Sequence, residues 1–225
     1  GDALVRVGAP GYLDVYRRES VVAGASGSPV STTLFDVRLT PIADPAAAKP
    51  TAGGTLYTAT AGSLVATLEA PTASVSADAV VRLTIRRPQG LPVLAPLGWS
   101  VASAARVAIS DAAGAPVTPT GAMTLRLPDF YGATTSTALH LARLDPVSLQ
   151  WLSEGTATLE DGALEASISA AGDWAILVPD PAPTAPGTAA PGAPLPGVAL
   201  PAEDPLESAT VVADPVDVLP TQASD

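Results

Sequence analysis

The sequence predicts an all-β protein: one or two antiparallel β-sandwich units followed by an extended, acidic, Pro/Ala-rich tail. Three observations predict it. Short segments alternate apolar and polar residues with a period of two, and none keeps a helical period. Turn residues punctuate these segments at the spacing that antiparallel sheets require. At Pro179 the pattern stops, and from that residue on the chain carries 11 of its 24 prolines, seven acids and no Lys or Arg. Such a tail buries too little apolar surface to offset its ordering entropy alone, so an order-giving partner is expected for it.

The segments follow in order. Leu4–Val7 and Tyr12–Tyr16 read as strands around the turn Gly8-Ala9-Pro10-Gly11, and Leu34–Leu39 is another, closed by Pro41. Ala43–Gly54 is rich in Ala, Pro and Gly and reads as a loop. Leu56–Thr60 and Leu64–Leu68 form a pair split at Gly62, followed by Val80–Ile85 and Ser100–Ser110. Met123–Leu127 and Leu139–Leu144 alternate cleanly, as half-buried strands do. A final meander runs through Leu149–Leu152, Leu164–Ile168 and Trp174–Val178, with turns at Asp145-Pro146, Asp161-Gly162 and Gly172-Asp173. The expected organisation is an N-terminal β segment over 1–53, a β-sandwich domain over 54–178 and the tail over 179–225.

Composition narrows the chemistry. The 225 residues contain no Cys, a single His (His140) and a single Lys (Lys49). Disulfides, thiolate nucleophiles and sulfur-ligated metals are thereby excluded, and zinc lacks its usual three or four ligands. No D-x-D-x-D-G loop is present for calcium, and no cofactor is expected. The net charge is −11, of which the tail supplies −7. An acidic chain repels phosphate backbones, so nucleic acid is not an expected partner. No apolar run approaches the roughly 18–20 residues that span a bilayer as a helix. The Ala, Pro and Arg load and the Cys-free, Thr/Ser/Gly-rich β-pattern point to a bacterial extracellular or cell-surface protein.

From Gly62 to Pro179 the order of features resembles the β-sandwich domains found in ankyrins, netrin receptors and many bacterial surface proteins. The resemblance rests on Leu139-His140-Leu141-Ala142-Arg143-Leu144-Asp145, on Trp151-Leu152, and on the closing segment Ile168–Leu177 with Trp174. It implies a sandwich fold. Some members of that family cleave their own backbone at a His-Phe-Ser motif in the closing strand. Ala170-Ala171-Gly172 stands at the corresponding place here, so the resemblance implies no self-cleavage.

The site residues singled out are contact residues. Two arginine doublets in an acidic chain, Arg17-Arg18 and Arg86-Arg87, are candidate receptors for an acidic tail. Phe130-Tyr131, in a loop, is a candidate contact surface, and exposed aromatics on a β-sandwich can stack sugars. Trp151 and Trp174 are expected in the core, and His140 on a solvent-facing strand position. In the tail, Ala209–Ala213 and Val216–Leu219 are short apolar segments between prolines. Val211, Val212, Val216, Val218 and Leu219 would add a strand to a sheet edge of another copy. The expected function is non-catalytic: a subunit of a filament, sheath or layer, partnered by copies of itself. An accessory, sugar-directed binding module of a larger secreted or envelope protein is the alternative.

Overall fold

The computed structural model describes residues 2–20, 37–76, 78–180 and 190–197. Within them lie fourteen strands: β1 (Asp2–Val7), β2 (Tyr12–Leu13), β3 (Val15–Ser20), β4 (Thr40–Pro41), β5 (Ala47–Thr51), β6 (Gly54–Ala61), β7 (Leu64–Pro71), β8 (Val80–Arg86), β9 (Trp99–Ser110), β10 (Met123–Pro128), β11 (His140–Leu144), β12 (Trp151–Glu160), β13 (Ala163–Ile168) and β14 (Gly172–Pro179). The one helical element among the described residues is a 3-10 turn at Pro88–Gly90.

Ten strands form one antiparallel sheet in the order β5-β6-β7-β10-β13-β12-β11-β14-β9-β8. The sequence suggests sandwich units; the chain instead builds a single continuous sheet that curls until its two halves face each other. Alternation makes this possible. Leu68, Leu125 and Leu164 point inward from one half, and Leu83, Val107 and Ile176 from the other, and all six share one core.

Strand β12 carries the curl. Its first half pairs with β11 (Leu144↔Trp151) and its second half with β13 (Glu160↔Ala163). Between them the register slips, so that Leu141 faces Gly155 while Ala142 faces Ser153. Gly155 sits at φ +132°, a conformation closed to residues with a Cβ. A bulge of this kind adds bend and twist to a long strand. The turn after it is the one expected from Asp161-Gly162, both at positive φ, which closes a two-residue hairpin.

The two sheet edges are drawn together by the chain entering β5. The Ala46 N–H donates to the Val81 carbonyl at 2.8 Å, and the Ala43 N–H donates to Thr84 Oγ1 at 3.1 Å. At the N-terminus, β1 and β3 form a hairpin from Asp2↔Ser20 to Val7↔Val15, and β2 pairs with β4. This ribbon is tied to the body where the Tyr16 N–H donates to the Pro92 carbonyl at 2.6 Å.

Several elements differ from the sequence reading: β12 runs on past Leu152 to Glu160, and Gly172-Asp173, expected as a turn, opens β14 and pairs with β9. Tyr12–Tyr16 is two strands interrupted at Asp14, whose carboxylate accepts a hydrogen bond from Arg6 at 2.7 Å. Strand β5 lies inside the expected loop. All five of its residues are exposed and it carries Pro50, so it has neither an apolar face nor a full set of donors. An edge strand needs neither. Of Leu34–Leu39, residues 34–36 lie outside the described residues, and 37–39 are irregular.

Candidate functional site

A second apolar cluster lies on the opposite face of β9, β14, β11 and the start of β12. Ala104, Ala175 and Ala142 line its floor, with Leu177 and Leu144 beside them and Trp99 and Trp151 as walls. Small residues on adjacent strands leave room for backbone to approach closely. Two segments use that room. The loop after β8 brings Leu91 down, with Trp151 Nε1–H donating to the Val93 carbonyl at 3.2 Å. Residues 190–197, from beyond the Pro179 break, bring Leu195, which is 6% exposed.

This second segment adds to the sheet. Ser153 N–H donates to the Ala193 carbonyl at 2.8 Å, Gly192 N–H to the Ser153 carbonyl at 2.6 Å, and Leu195 N–H to the Trp151 carbonyl at 2.9 Å. Trp99 Nε1–H completes the dock by donating to the Pro196 carbonyl at 2.7 Å. The bonds fall on the part of β12 that leaves β13, where the edge is open. Pro191, Pro194 and Pro196 have no N–H, so the segment can pair toward β12 without leaving donors stranded at those positions.

The same sheet face ends in a buried charge cluster. Arg86 on β8 is 2% exposed. Its Nη1 donates to the Gly90 carbonyl at 2.6 Å, and its Nη2 lies 3.0 Å from Asp173 Oδ1. Arg106, directly opposite Asp173 in the β9–β14 ladder, donates to Oδ2 at 2.5 Å. Burial pushes the Arg86 guanidinium below its ordinary value, with Asp173 opposing that shift. Next to the cluster lies a cavity of about 370 Å³, walled by Tyr12, Asp14 and Tyr16 from the ribbon. Here one carboxylate is shared by two guanidinium groups, an arrangement that fastens β8, β9 and β14 together.

The expected contact residues are distributed as follows. Arg17 is buried, with Nη1 donating to the Tyr16 carbonyl at 2.9 Å and the Leu91 carbonyl at 3.2 Å, while Arg18 is exposed. Arg86 is the buried ion-pair partner of Asp173. Arg87 is exposed, and its guanidinium lies over the Phe130 ring at 6.0 Å. Phe130 packs against the main core. Asp129 accepts hydrogen bonds from the N–H groups of Tyr131, Gly132 and Ala133, a turn that leaves Tyr131 43% exposed. Arg87 and Phe130 are thus brought together, and each doublet divides into one buried and one exposed member. Val211, Val212, Val216, Val218 and Leu219 lie outside the described residues. Trp151 and Trp174 are both buried, as expected.

His140 is half-buried rather than fully solvent-facing. Its ring meets Trp99 edge to face, with centroids 4.9 Å apart. Burial lowers its pKa from the ordinary 6.5, so the fold favours the neutral imidazole. The stability this contributes is complete above about pH 6.5 and is lost as the pH falls through the lowered value. Urea titrations at a series of pH values should show that loss, and His140→Gln should flatten it.

Sequence reasoning missed Asp173, Arg106 and the groove that holds Leu195. The available signal was a lone Arg or Asp set among small apolar residues, Ala104-Ala105-Arg106-Val107 and Gly172-Asp173-Trp174. Among the described residues no group of three His, Cys, Asp or Glu side chains comes together, and no helix is long and apolar enough to cross a membrane. Compared with family models, curated proteins and solved structures, the chain has no match.

Proposed function

We propose that this chain is a structural subunit of an extracellular or cell-surface assembly, partnered by copies of itself, with the region after Pro179 joining neighbours. One observation carries the reading. Residues 190–197, beyond the last strand of the body, add main-chain hydrogen bonds to an open stretch of β12. Strand addition of this type needs only a free edge and a pocket for an alternate side chain, so it joins a chain to a sheet whichever copy supplies each. The acidic character of the remaining tail and the exposed cations Arg18 and Arg87 add charge complementarity to the same reading.

The test is the mass of the purified protein. Sedimentation and electron microscopy of the full chain should show oligomers or polymers that grow with concentration. A chain ended after Asp180, checked for β-structure by circular dichroism, should remain monomeric. A full chain that stays monomeric at every concentration rules the reading out, and so does a truncated chain that assembles equally well.

A further inference from the structure

We infer that the groove between Trp99 and Trp151 is an exchangeable receptor, filled in the assembly by residues 190–197 of a second copy. The inference rests on the assembly reading above and names its interface. Every contact of the docked segment is local to the groove: three backbone bonds to Trp151 and Ser153, the Trp99 bond to Pro196, and the burial of Leu195. None of these contacts depends on which molecule the segment belongs to. Its covalent tie to the body runs through residues 181–189, starting from Asp180, whose N–H is fixed to the Gly98 carbonyl at 2.8 Å. Nine residues reach about 30 Å when extended. Exchange therefore trades identical contacts between copies, and what it costs is the entropy of association, which a crowded assembly lowers.

The geometry supplies separate handles on donor and receptor. Leu195→Asp disables the donor, because a carboxylate cannot enter the apolar pocket. Ser153→Pro disables the receptor. The Ser153 N–H and carbonyl both face the docked segment, so proline there removes the bond to Ala193 and spares the pairing to β11.

In the full chain, each substitution alone should weaken self-association at least tenfold. Mixed together, the two variants should form a 1:1 complex, since one retains a working groove and the other a working donor. The Leu195→Asp chain should also bind a synthetic peptide of residues 190–197 with a shift in Trp fluorescence, and Leu195→Ala serves if the aspartate variant does not fold. Wild-type assembly that survives both substitutions overturns this inference and leaves the assembly reading standing. A monomeric wild type whose Leu195→Asp form still binds the peptide overturns the assembly reading and keeps the receptor. No peptide binding at millimolar concentration and no mixed complex overturns the receptor itself.

Discussion

Replacing Asp173 with Ala should destabilise the protein by about 3–5 kcal/mol, the range for removing one partner of a buried ion pair. The reason is what remains. Arg86 is 2% exposed, so its charge would stay largely buried with the Gly90 carbonyl as its remaining hydrogen-bond acceptor. Asp173→Asn keeps the shape and loses the charge, and should fall almost as far. Replacing both partners, Arg86→Met with Asp173→Ala, should recover most of the loss, because the desolvated charge is gone. Arg106→Ala should matter least, since its side chain is 42% exposed and solvates itself. Urea unfolding of the four variants checks the order. If the double variant is no better than Asp173→Ala, charge burial is not the cause.

Trp174→Ala should cost a similar amount, about 3–5 kcal/mol. The indole is 1% exposed, sits in the main core, and donates from Nε1 to the Ala170 carbonyl at 3.1 Å. Truncation leaves a cavity where the two halves of the sheet meet and strands that carbonyl. The Arg143 guanidinium, 5.9 Å from the ring centre, also loses the surface it lies over. Trp174→Phe keeps part of the volume and should cost clearly less. Thermal or denaturant melts followed by circular dichroism measure both. With domain stabilities of about 5–15 kcal/mol, either alanine variant is expected to show unfolded protein under mild denaturant.

The body's strands were legible wherever one face was buried and the other was not. Met123-Thr124-Leu125-Arg126-Leu127 alternates because β10 packs one face on the core and pairs Arg126 with Glu165 on the other, at 3.3 Å. β5 was not legible because nothing on it is buried, and its register comes from β6 alone. Half of β12 was missed for another reason: Ser153-Glu154-Gly155-Thr156 carries no apolar side chain to continue the alternation, and here Gly155 bends a strand that continues. The groove had the weakest signature. Its floor of Ala104, Ala142 and Ala175 is shared among three strands distant in sequence. In the doublets Arg17-Arg18 and Arg86-Arg87, strand alternation turns neighbouring residues to opposite faces. One arginine of each pair was thus directed into the fold.

The position of β14 sets an order of events during synthesis. It begins at Gly172, yet it lies between β9, which ends at Ser110, and β11, which ends at Leu144. A growing chain therefore completes both flanking strands while the slot between them is empty. Until β14 is inserted, β9 and β11 each present an unpaired ladder beside apolar surface, the condition under which nascent sheets stick to one another. Long-range pairing of this kind also slows folding, because loop closure precedes any gain from contact. Chains interrupted between Leu144 and Gly172 should be aggregation-prone. Refolding of the whole chain should be limited by the entry of Trp174 into the core, a step its own fluorescence would report.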